Sequence, residues 1–122
     1  MKGLILPLLA ATLAACVTTP SAVAGPTAGL GEIATVNGLS IRPLRVVEDS
    51  RCPINARCIW AGRVVLRTEV RSSAGSATYN LTLGEPVTHA GGRLALVAAE
   101  PGRVAGAGTE PGAYRFTFEY NR

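Results

Sequence analysis

The sequence predicts an all-β fold: a small antiparallel β-sandwich or barrel of about six or seven strands with one disulfide. Three observations carry this expectation. Several windows alternate apolar and polar residues, the period of a half-buried strand. Glycine, proline and an Asn-Gly pair punctuate those windows where turns are needed. Outside the first fifteen residues, no window shows the 3.6-residue apolar period of an amphipathic helix.

Taken in order, Glu32 to Val36 meets Leu39 to Glu48 across Asn37-Gly38, a dipeptide suited to the positive-φ positions of a tight hairpin turn. Pro43 has no backbone N–H to give to a ladder, so its strand lies at a sheet edge or is bulged there. From Arg63 to Arg71 one face carries Val64, Leu66, Thr68 and Val70 and the other Val65, Arg67, Glu69 and Arg71. Ser76 to Leu83 points Ala77, Tyr79, Leu81 and Leu83 inward, and the short Ser72-Ser73-Ala74-Gly75 link joins the two runs as a hairpin. Arg93 to Glu100 supplies another strand, followed by a Gly/Pro-rich loop over residues 101–112. The last strand, Ala113 to Tyr120, alternates Tyr114, Phe116, Phe118 and Tyr120 with polar residues and requires a packed layer beneath them.

The N-terminus has a different character. Lys2 precedes an apolar run from Gly3 to Ala15 that is too short for a bilayer span of about 20 residues. Its charged start, apolar middle and small-residue end are those of a secretory signal. Leu13-Ala14-Ala15-Cys16 resembles the bacterial lipobox, in which cleavage before the cysteine is coupled to its acylation. Residues 1–15 are therefore expected as a lipoprotein signal peptide and Cys16 as the lipidated residue, with two or more acyl chains giving a stable anchor. Ala22-Val23-Ala24 offers a competing small-x-small cleavage site, which would make Cys16 an ordinary signal residue. Residues 16–31, uncharged and rich in Ala, Gly, Pro, Ser and Thr, read as a flexible tether. Residues 32–122 then form a single all-β domain. Val17 rather than Asp after the cysteine favours the outer membrane, facing the periplasm, by analogy with lipoproteins of diderm bacteria.

Lys2 is the only lysine among twelve basic residues, and the arginines are scattered along the chain, facing eight acids. With no basic run, no aromatic stacking platform and an exported address, nucleic acid is not an expected partner. Expected partners are the membrane, through the lipid, and an envelope protein, wall polymer or small ligand.

Chemistry is concentrated in one segment, EDSRCPINARCIWAG, residues 48–62. An exported chain meets an oxidising compartment, so Cys52 and Cys58, with five residues between them, are expected as a disulfide. A ring of roughly seven residues stabilises by about 2 to 3 kcal/mol in the chain-entropy model. Trp60 shares a side of an extended chain with Cys58 and is expected to cover the bridge or plug an end of the sandwich. Gly62 leaves room for a close backbone approach. Asp49 and Ser50 are expected to bond nearby backbone donors, and Arg51 to stack on Trp60 or pair with Asp49 or Glu48. The residues Asp49, Ser50, Arg51, Cys52 and Pro53, then Cys58, Trp60 and Gly62, resemble the D-S-R-C-P-x4-C-x-W-x-G pattern of small, functionally uncharacterised bacterial lipoproteins and exported proteins. The resemblance implies the domain and its bridge and brings no activity with it.

Catalytic readings find little footing. The Cys52–Cys58 spacing lacks the C-x-x-C arrangement of redox sites. His89 is the only histidine, so a zinc or copper set has too few ligands, and no cofactor or metal is expected. His89 itself lies between strands and is expected as an exposed loop residue. Ser50, His89 and Asp49 spell a catalytic trio without a G-x-S-x-G context. The sequence thus points to a non-catalytic binding or structural module, with two alternatives: a protease inhibitor displaying Arg57 on the disulfide-closed loop, or a small envelope hydrolase.

Overall fold

The protein's three-dimensional structure, a computed structural model, describes residues 25–122 together with Gly3. The expected signal peptide, the lipidation site Cys16 and the tether up to residue 24 lie outside the described residues.

Two four-stranded antiparallel sheets face each other as a sandwich; they do not close into a barrel. The strands are β1 (Thr27–Ala28), β2 (Ala34–Val36), β3 (Leu39–Asp49), β4 (Val64–Ser72), β5 (Gly75–Thr82), β6 (Val87–His89), β7 (Gly92–Glu100) and β8 (Arg115–Asn121). One sheet has the order β1-β8-β7-β6 and the other β2-β3-β4-β5. Among the described residues eight strands replace the expected six or seven because β1 and β6, of two and three residues, are too short to show a sequence period; the expected strand from Glu32 is present as the shorter β2. Among the described residues helix is confined to one 3-10 turn at Pro111–Ala113.

The domain also begins earlier than residue 32. Thr27 and Ala28 pair with Thr117 and Phe116, and Ala28 is buried in the core. A Pro/Ala/Gly-rich segment has little to say in its own composition, but a strand edge supplies the hydrogen bonds that it cannot make alone.

The inner faces follow the alternation. Val64, Leu66, Thr68 and Val70 of β4 are buried, as are Leu94 and Leu96 of β7 and Phe116, Phe118 and Tyr120 of β8. Buried Thr68 is satisfied by donating its hydroxyl proton to the Leu66 carbonyl at 3.2 Å. In β7 the inward set runs Leu94, Leu96 and then Ala99, a step of three made possible by a bulge between Leu96 and Ala98. Asn37 and Gly38 both take positive φ, 43° and 85°, as the β2–β3 turn requires. Pro43 lies beside a register shift in the β3–β4 ladder, past the last residue that β2 pairs with β3. The proline is bulged, and on its other side the Gly31 N–H bonds its carbonyl at 2.7 Å, beyond which β3 runs as an edge.

The long β3–β4 and β7–β8 connections lie at the same end of the sandwich, since Asp49 pairs with Val64 while Glu100 pairs with Arg115. That end holds the segment 48–62. The aromatic strand dominates the core, so Phe116→Ala is expected to cost about 3 to 5 kcal/mol, read as a lower midpoint in urea denaturation with an unchanged slope.

Candidate functional site

β3 delivers Asp49 to the end of the sandwich at its last residue, and the chain then enters the irregular segment 50–63. The Asp49 side chain is only 8% exposed, and burying a carboxylate demands a full set of partners. It has them. Arg51 donates Nε to Oδ1 and Nη2 to Oδ2, both at 2.9 Å, and the Tyr114 hydroxyl donates to Oδ2 at 2.8 Å. The other guanidinium donors reach the opposite sheet: Nη1 bonds the Ala99 carbonyl at 2.8 Å and Nη2 the Pro101 carbonyl at 3.0 Å. Arg103 closes the arrangement by donating to the Arg51 carbonyl at 2.8 Å. Arg51 pairs with Asp49 and does not stack on Trp60; Glu48 pairs instead with Arg63.

The charges respond accordingly. Burial by itself would raise the Asp49 carboxyl, but the hydrogen bonds from Arg51 and Tyr114 and the guanidinium charge outweigh it and hold the group below the usual carboxylate range. The Tyr114 hydroxyl is raised, first by burial and then by its donation to Asp49. The Asp49 hydrogen bond holds Arg51 above its ordinary value.

A second fastening lies at the base of the loop. The Ser50 N–H bonds the Arg63 carbonyl at 2.8 Å, and the Arg63 N–H bonds the Ser50 Oγ at 3.0 Å. Between these strands Gly62 takes φ 67°, and a Cβ there would stand 1.9 Å from the Ser50 carbonyl oxygen. Only glycine fits, for both reasons.

The third fastening is the Cys52–Cys58 disulfide, with Cα atoms 5.8 Å apart. Inside the ring the Ala56 N–H bonds the Pro53 carbonyl at 3.1 Å, a tight turn. The ring is tied sideways to the β7–β8 loop. The Ile54 N–H bonds the Arg103 carbonyl at 2.8 Å, and the Ala105 N–H bonds Asn55 Oδ1 at 2.7 Å.

Trp60 does not plug the sandwich. It is 61% exposed, and its neighbours Ile59 and Ile54 are 99% and 76% exposed. The core end that the tryptophan was expected to close is filled by Tyr114, stacked on Phe116 with ring centroids 5.3 Å apart. Composition alone makes a lone Trp beside a cysteine read as core; nothing in the segment announced that Tyr114 already occupied the place.

Arg51, Asp49, Trp60 and His89 do not converge. Arg51 contacts the far end of β7 at Ala99, whereas His89 pairs with Gly92 at its start, roughly 20 Å away at about 3.3 Å per residue. Ser50 spends its hydroxyl on Arg63, so the Ser50–His89–Asp49 trio is not assembled. His89 is not an exposed loop residue either. It ends β6 half-buried, shares a 2.7 Å hydrogen bond between Nδ1 and the Tyr79 hydroxyl, and meets that ring edge-on. Its Nε2 is buried without a hydrogen-bond partner.

Among the described residues no three His, Cys, Asp or Glu side chains come together as metal ligands. The β7–β8 loop encloses an open depression of about 280 Å³ lined by Pro101, Val104, Ala107, Thr109, Glu110 and Ala113. Glu110 is the only charged group in its lining, which gives it shape and little chemistry. No family model, curated protein or solved structure matches the chain.

Two outcomes are expected. Gly62→Ala displaces the loop base and destabilises by more than about 2 kcal/mol, visible as a lower thermal midpoint and as new amide-exchange lability at Ser50 and Arg63. The Asp49 contribution is complete above the unfolded carboxylate value of about 3.9 and is lost as pH falls through its lowered folded value; Tyr114 contributes below about pH 10 and ceases to as pH rises through its raised one. In denaturation series across pH, Asp49→Asn therefore lowers stability at pH 7 by about 3 kcal/mol and flattens the acid limb below pH 4.

Proposed function

We propose that the protein is a lipid-anchored domain of the bacterial cell envelope, held at the periplasmic face of the outer membrane, that works as a non-catalytic binding module through its stapled loop. One observation carries the reading: Ile54, Ile59 and Trp60 point outward from a backbone immobilised by a disulfide, a buried ion pair and a glycine-locked base. Exposed apolar side chains scattered singly mean little, but three of them within seven positions of one fastened loop favour recognition. A loop whose freedom is already gone binds without a further ordering cost. The run ending in Leu13-Ala14-Ala15-Cys16 supports the anchor. The D-S-R-C-P-x4-C-x-W-x-G resemblance fits the same class of small exported domain.

The alternatives are weaker on particular residues. A protease inhibitor presents an extended segment to the enzyme's cleft. Here Arg57 follows a tight turn inside a small ring, although it is exposed. A hydrolase would need Ser50, Asp49 and His89 together, and each is occupied elsewhere.

In cells fed a fatty-acid analogue, the wild-type protein is expected to take up label and Cys16→Ser to take up none. Ile59→Ser and Trp60→Ala keep the label but reduce crosslinking to envelope components about tenfold. Trypsin keeps full activity in the presence of excess protein. An unlabelled wild type removes the anchor, and crosslinking indifferent to both loop substitutions removes the binding role.

A further inference from the structure

We propose that the stapled loop docks on an anionic phospholipid surface, with Trp60, Ile59 and Ile54 at the headgroup–acyl boundary and Arg57 among the headgroup phosphates. This rests on the reading of the loop as a binding element and names its partner. Three observations lead to it.

The first is the kind of side chain exposed. A tryptophan beside two isoleucines suits the boundary between water and lipid, where an indole buries its ring and keeps its N–H wet. The second is charge. Residues 50–68 contain Arg51, Arg57, Arg63 and Arg67 and no acid, and the facing stretch 101–109 contains Arg103 and no acid. Arg51 and Arg63 have carboxylate partners in Asp49 and Glu48. Arg57 has no ion-pair partner among the described residues, and it is exposed in the ring beside Cys58, two residues from Ile59. An apolar tip with an unpaired cation matches an anionic surface, to which a single basic side chain contributes about fivefold in partitioning.

The third is reach. Eight residues lie between Cys16 and Gly25, where the continuously described chain begins, and the nine steps span at most about 30 Å. The Pro26 carbonyl accepts from the Phe118 N–H, midway along β8. β8 begins at Arg115, beside the stapled end, so the loop stands about three residues, or roughly 10 Å, from the entry point. A lipid on Cys16 and the loop tip can thus meet one membrane surface, and docking at both fixes the orientation of the sandwich on it.

The chain carries its own reporter, because Trp60 is the sole tryptophan. Its emission responds to where the loop is, whatever else of the protein holds the membrane. Full-length protein, wild type and Cys16→Ser, is titrated with vesicles of phosphatidylcholine alone or mixed with phosphatidylglycerol. With the anionic vesicles Trp60 emission is expected to shift to the blue and to become shielded from aqueous acrylamide in both forms. Ile59→Ser raises the vesicle concentration for half-maximal shift about tenfold, and Arg57→Gln raises it about fivefold. Added salt weakens the wild type and spares Arg57→Gln. Both positions are exposed, so folding is not at stake, and near-ultraviolet circular dichroism checks it. Trp60 staying equally quenched with anionic vesicles overturns the proposal, as does an equal shift on phosphatidylcholine alone. If Trp60 stays wet while the loop substitutions still abolish crosslinking to an envelope protein, the membrane inference fails and the binding-module reading stands.

Discussion

The bidentate pair between Asp49 and Arg51 is the joint on which the loop end of the sandwich depends. Asp49 closes a strand of one sheet; Ala99, Pro101 and Tyr114 belong to the other sheet and its loop. Burying two charges is costly unless nearly every donor and lone pair finds a partner, and an incomplete network is worse than an apolar contact. Here the carboxylate accepts three hydrogen bonds and the guanidinium donates four. The same network fixes the direction in which the chain leaves β3, and so the place where the ring begins.

That division of labour explains the mixture of residues within fifteen positions. The polar members, Asp49, Ser50 and Arg51, face inward and hold the base. The apolar members, Ile54, Ile59 and Trp60, face outward. The usual arrangement is inverted because the segment lies beyond the last turn of the sandwich, where the sheets offer no more inner face. What little core remains is already filled by Tyr114 on Phe116. A loop of this build keeps its shape through polar contacts and its disulfide, which leaves Ile59 and Trp60 exposed while Ile54 touches Gly102.

Much of the architecture was legible because it rests on local rules. The alternation in Val64 to Val70 and in Tyr114 to Tyr120 reports the inner faces directly, and Asn37-Gly38 and Pro43 report turn and bulge through their own backbone restrictions. The disulfide followed from the export that the N-terminal run led us to expect and from the proximity of the two cysteines in sequence. What stayed hidden depends on contacts distant in sequence. Arg51 and Tyr114 are 63 positions apart and meet only through Asp49, and β1 exists because β8 offers it an edge. The orientation of Trp60 was misjudged for the same reason: a side chain turns outward when another residue has taken its place inside, and the segment's own letters do not say so. His89 was misread through its Gly-rich surroundings, although Tyr79 ten residues earlier supplies its partner.

Pro43 has a consequence beyond its own strand. Among the described residues no strand lies against the outer side of β3 from Leu44 to Asp49, because β2 pairs only from Leu39 to Ile41. Such an open ladder invites another chain to add to it, and Leu44 and Val47 are exposed along it. The proline withholds one donor, and the irregularities at Pro43/Arg45 and Val46/Glu48 twist the remainder out of register. The other free edges are strands of two or three residues, apart from β5. This stretch of β3 is therefore guarded against edge-to-edge pairing by backbone irregularity together with the charges of Arg45 and Glu48, whereas the regular β5 edge has only its sequence to protect it.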